Sequence, residues 1–153
     1  MNRLQTRTGR GAAAALSLAV AAGLAACSPL TTDRPYAASD GVRVVVGEGV
    51  HVENLLVLTS AEGAPGALQG GLVNDGASDV TIAIDTLRFD VPARTTVLLG
   101  GDSGEEATLA AVAAAPGDVL RLAVGTPDDA TEVPVPVLDG TLSEYAPHVP
   151  AAS

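Results

Sequence analysis

From Gly41 onward the apolar residues fall into short runs separated by Gly, Pro, Asn and Asp. Val80, Ile82 and Ile84 alternate with Thr81, Ala83 and Asp85, and Leu120, Leu122 and Val124 share one parity. A two-residue period places one face of an extended strand against a core. Repeated at this spacing with turn residues between, it predicts an all-β fold, a sandwich or barrel. The runs predict strands over Val42–Val46, Val50–Thr59, Ala67–Val73, Val80–Asp85, Leu87–Val91, Thr95–Leu99, Val119–Val124 and Glu132–Leu138. Residues Ala107–Ala115 are alanine-rich and read as one or two helical turns or a loop, because alanine content is a weak helix signal by itself. The Asn74-Asp75-Gly76 stretch reads as a turn, with Asn and Gly as the residues that accept left-handed backbone.

The last run, Glu132-Val-Pro-Val-Pro-Val-Leu138, carries more information. Backbone N–H groups alternate sides along a strand, so Pro134 and Pro136 remove donors from the same side. That side cannot pair fully, and the strand is expected at a sheet edge. Val133, Val135 and Val137 then face the neighbour and the core.

The pattern before Gly41 is different. Met1–Arg10 holds three arginines and no acid, and the next sixteen residues are uncharged. A basic segment followed by a short apolar one is the layout of a secretory signal peptide, and the run is shorter than a membrane-spanning helix requires. No Arg-Arg pair is present, which favours the general secretory pathway. The segment ends in Leu24-Ala25-Ala26-Cys27, and this resembles the lipobox of bacterial lipoproteins. The resemblance implies removal of residues 1–26 and a diacylglycerol, with its two acyl chains (palmitate), on the Cys27 thiol. Cys27 is the only cysteine, so an intramolecular disulfide is excluded. More than one acyl chain gives stable anchoring. The expected organisation is a signal peptide over 1–26, a lipidated tether over 27–40, a β-sandwich domain over 41–145 and a disordered tail over 146–153.

Composition narrows the partners. The chain from Cys27 onward has five arginines, no lysine and all 18 acids, a formal charge of −13. Such a surface disfavours nucleic acid and anionic headgroups. It suits a body held at the outer face of the cell membrane by its lipid alone. Abundant Ala, Gly, Val and Arg without lysine points to a high-GC genome, as in actinobacteria. The aromatic residues past Cys27 are Tyr36, Phe89 and Tyr145, so the core is aliphatic and stacking platforms for bases are missing.

The order of motifs from Val50 to Tyr145 resembles small actinobacterial lipoproteins related to the PCuAC-type copper chaperones. The carriers are VHVENLLVLT, GALQGGLVNDG, FDVPARTTVLLG, PGDVLRL and VPVPVL ahead of a terminal Tyr. The resemblance implies an Ig-like or cupredoxin-like Greek-key β-sandwich of about seven to eight strands. That family takes Cu(I) through methionine and histidine. Here the only methionine is Met1, and the histidines are His51 and His148. Soft Cu(I) prefers sulfur ligands, so the ligand inventory contradicts the copper role the fold implies.

Other candidates each have a plain reading. Gly101-Asp102-Ser103-Gly104 matches the start of the motif around the nucleophile of chymotrypsin-like proteases, and His51, Asp85 and Ser103 occur in the matching order. Glu105 breaks the motif and the chain is too short for two barrels, so a polar turn is expected. Asp102, Glu105 and Glu106, and Asp128 with Asp129, lack calcium-loop spacing and read as solvated charges. His51 and Glu53 share a strand face, two groups that could begin a metal site. An exposed strand histidine is the expectation, with His148 in the disordered tail. The sequence reading is therefore a lipid-anchored, extracytoplasmic, non-catalytic binding or accessory protein without a cofactor. Copper-chaperone-like metal handling is the alternative.

Overall fold

The computed structural model describes residues 39–151, an all-β, sandwich-like domain. The signal peptide, Cys27 and most of the tether lie outside the described residues. Nine strands follow in chain order: β1 Val42–Gly47, β2 Val50–Thr59, β3 Gly66–Asn74, β4 Val80–Ile84, β5 Leu87–Val91, β6 Thr95–Leu99, β7 Thr108–Leu109, β8 Val119–Thr126 and β9 Asp129–Leu138. Their order is β5-β4-β8-β9-β2-β3-β6, with β1 also on β2 and β7 on β3. One sheet is β1, β2, β3, β6 and β7, the other β4, β5, β8 and β9. The inner faces meet in an aliphatic core in which Val52, Leu55, Val57, Leu68, Leu72, Ile82, Ile84, Val91, Val112, Val135 and Val137 have no exposed surface. Phe89 is the one aromatic among the core residues. This core matches the two-residue period read from the sequence.

β9 is the strand that closes the structure. It pairs antiparallel with β8 over Asp129–Pro136, and then Val137 and Leu138 pair in parallel with Val57 and Leu58 of β2. The Val137 N–H donates to the Asp118 carbonyl at 3.0 Å, and its own carbonyl accepts from the Gly117 N–H at 2.8 Å. Pro134 and Pro136 have the opposite parity, so their missing donors face away from β8. The edge expected from the prolines is real over Asp129–Pro136. It ends where the prolines end, and β9 becomes the seam between the sheets.

A bulge interrupts β2. Glu53 pairs with Gly71 and Leu56 with Gln69, so Asn54 and Leu55 together oppose Gly70. Asn54 sits at φ 53° and Gly70 at φ 154°. A Cβ on Gly70 would lie 2.9 Å from the Glu53 carbonyl oxygen, so the bulge needs glycine there. Leu55 and Val57 belong to the core, and Leu56 and Leu58 therefore face outward, yet both are fully buried.

Residues 107–115 form no helix. Thr108 and Leu109 pair with β3, and Val112 exchanges hydrogen bonds with Gly63 and Ala64 at 2.7 and 2.9 Å. Ala107, Leu109, Val112 and Ala114 are buried while Glu106, Thr108, Ala110, Ala111 and Ala113 are exposed. The tail differs from expectation as well. Ala146–His148 is a 3₁₀ turn started by Pro147, and residues 147–151 wall a cleft beside Ala67, Leu68 and Gln69. Ala67 and Gln69 are the cross-strand partners of Leu58 and Leu56. The segment 139–151 is thus a strap whose end runs beside β3.

Candidate groove on the outer face of the first sheet

Register brings residues from four strands into rows on this face. Val45, His51, Val73 and Thr96 are successive cross-strand partners, and Glu53, Gly71 and Leu98 form the next row. The bulge interrupts the β2–β3 pairing between Glu53 and Leu56. The β6–β7 loop rises on the other side, with Gly100 and Gly101 both at left-handed φ values of 66° and 65°. It is closed by Gly104 N–H to the Gly100 carbonyl at 3.0 Å and Gly100 N–H to the Glu105 carbonyl at 2.8 Å. Between bulge and loop lies an open groove of about 460 Å³, bordered by Glu53, Asn54, Leu98, Asp102, Ser103 and Tyr145. A second cleft of about 500 Å³ continues under the strap, and Gln69, Gly100 and Gly101 line both. Leu98, on the terminal strand β6, is 52 % exposed.

The strap is held by side chains. The Tyr145 hydroxyl donates to Asp40 Oδ2 at 2.8 Å, tying it to the first residues of the domain. Desolvation, then the Asp40 hydrogen bond and charge, push the Tyr145 hydroxyl up to about 12. His148 Nε2 lies 3.8 Å from Asp102 Oδ1, so the strap also meets the β6–β7 loop.

His51 is more enclosed than expected, with 16 % of its side chain exposed. Its Nε2 lies 3.3 Å from Glu53 Oε1, and the same oxygen takes Arg43 Nε at 3.0 Å. The guanidinium at this carboxylate disfavours a second cation there. Among the described residues no three His, Cys, Asp or Glu side chains converge to hold a metal. His51, Asp85 and Ser103 are not brought together by any hydrogen bond or ion pair among the described residues. Asp85 lies in the β4–β5 turn at φ 51°, its N–H donating to the Ala123 carbonyl, and Ser103 is exposed on the loop. Asp102, Glu105 and Glu106 are exposed, as are Asp128 and Asp129 at the β8–β9 turn.

Asn74 works differently from the turn former the sequence suggests. Neither it nor Gly76 has positive φ. Asn74 is 1 % exposed, its Nδ2 donating to the carbonyls of Ser78, Val91 and Pro92 and its Oδ1 accepting from Gly76 N–H. It rivets β3 to the end of β5.

Sequence reasoning missed the groove and the strap. The glycine doublets 70–71 and 100–101, one within a strand and one ending another, were the available signal of a bulge and a tight loop on adjoining strands. Comparison of the chain with protein-family models, with curated proteins and with solved structures finds no match.

Proposed function

We propose that this chain is a lipid-anchored, extracytoplasmic, non-catalytic binding or accessory protein of the bacterial cell envelope, and that it meets its partner in the groove on the outer face of the first sheet. The anchoring part rests on Leu24-Ala25-Ala26-Cys27 behind the basic and uncharged segments. The observation that carries the binding part is the groove itself: an exposed Leu98 beside Tyr145, between a bulge and a glycine-closed loop. Exposed apolar surface rimmed by polar residues is the usual character of an interaction site.

Both parts are open to one experiment in intact cells. A photo-crosslinking residue is placed at Leu98, and in a second strain at Val119, which is 57 % exposed on the other sheet. The expected outcome is a membrane-bound protein reached by externally added protease, giving a discrete adduct from position 98 and none from 119. Cys27→Ala is expected to leave the chain uncleaved or released from the membrane. Equal crosslinking from both positions removes the groove from the reading, and wild-type membrane retention and mass in Cys27→Ala removes the anchor.

A further inference from the structure

The groove has a chemistry that narrows its occupant. Its charged side chains are Glu53 and Asp102, and Glu106 lines the cleft under the strap. Arg43, the nearest guanidinium to Glu53, is engaged by that carboxylate, and the chain has no lysine. Gln69 stands where groove and cleft join, and no hydrogen bond engages its side-chain amide among the described residues. A primary amide offers a donor and an acceptor side by side, which matches the N–H and C=O of a peptide unit. Leu98 and Val73 supply apolar contact, and Tyr145, fixed through its hydroxyl to Asp40, borders the groove. The two depressions together form a trough along β3, a shape for a chain and not for a compact ligand.

From this juxtaposition we infer that the trough binds an extended peptide segment bearing lysine or arginine, with Gln69 reading its backbone and Asp102 and Glu106 its charges. The inference rests on the binding reading above and makes it specific. The excess of acids across the domain steers such a segment inward, and rim charges set on-rate and salt dependence more than affinity.

The test uses the chain from residue 27 with Cys27→Ser, kept in solution, and backbone amide shifts as readout. Three matched unstructured peptides serve as probes: lysine-bearing, glutamate-bearing and uncharged. The expected result is saturable shifts at Gln69, Thr96, Leu98 and Gly101 with the lysine peptide alone. Binding weakens as salt rises from 0.01 to 0.1 M and the Debye length falls from about 30 to about 10 Å. Asp102→Asn with Glu106→Gln lowers affinity about fivefold, Gln69→Ala lowers it as well, and Asp128→Asn with Asp129→Asn, at the far turn, leaves it unchanged. Shifts spread evenly over Asp85, Asp128 and Asp129, equal binding of the glutamate peptide, or no response to the groove variants overturns the inference. A discrete crosslink from Leu98 in cells together with no peptide binding would reject the peptide while leaving a groove partner in place. Loss of the crosslink would reject the groove itself.

Discussion

At the residue scale, stability is concentrated in a few polar groups that an aliphatic core leaves exposed to scrutiny. Asn74 donates to three carbonyls from a site with 1 % exposure. Asn74→Asp replaces those donors with a carboxylate facing carbonyl oxygens, at a cost of about 3 kcal/mol or more at neutral pH. Burial beside those oxygens raises the new carboxyl's folded pKa above its unfolded value. The folded state then holds the extra proton, so the variant's deficit shrinks on acidification. Urea midpoints of both proteins at pH 7 and pH 4 measure it. Tyr145 shows the same linkage at the other end of the scale. Its hydroxyl is held up at about 12 against an ordinary value of 10.0. Between these values the unfolded chain loses the proton and the folded one keeps it, so stability is full below pH 10 and falls toward pH 12. In a Tyr36→Phe background, the ultraviolet titration of Tyr145 is expected near 12, moving down in Asp40→Ala. Neither group was legible from sequence. Asn74 looked like a turn former because its partners, Val91 and Pro92, are brought to it only by the sheet, and Tyr145 and Asp40 are 105 positions apart.

At the element scale the strands were legible because their cause is local. Alternation in Val80–Ile84 or Leu120–Val124 follows from one buried face, and the observed spans reproduce it to within two or three residues at their ends. Residues 107–115 stayed open between helical turns and a loop because alanine is small enough for either backbone, and here hydrogen bonds to Gly63, Ala64 and β3 decide. The proline reading of β9 was correct about which side lacks donors and silent about where the strand goes afterwards. Its consequence remains testable. Pro134→Ala and Pro136→Ala restore N–H groups to the free side of Asp129–Pro136, where no neighbour waits for them. Stability is expected to change by less than about 1 kcal/mol, while sedimentation velocity shows self-association absent from the parent, since unprotected edges pair with one another.

At the scale of the whole molecule, the strap completes a surface that the two sheets leave unfinished. Leu56 and Leu58 point out of the sandwich and are nonetheless fully buried. Ending the chain after Gly140 strips the cleft wall beside their cross-strand partners Ala67 and Gln69, and the Tyr145–Asp40 bond with it. The expected cost is about 3 kcal/mol or more, read as a lower denaturation midpoint with new binding of a hydrophobic dye. The groove was hidden from sequence for a related reason. Gln69, Leu98 and Tyr145 belong to a strand, a second strand and a strap, and only the bulge at Asn54 and the loop at Gly100 leave space between them.

The parallel seam between β2 and β9 sets the order in which the domain can form. Val57 finds Val137 80 positions later, and β2 is among the first strands to leave a ribosome or an export channel, β9 the last. Until β9 emerges, Val57 and Leu58 of β2 lack their second neighbour and the second sheet lacks its terminal strand. The sandwich therefore closes only after nearly the whole chain is free. A topology so rich in distant pairings folds on the millisecond-to-second scale. An early stop within β9 would consequently release a chain with every other strand made and no stable fold, a species for proteases to clear.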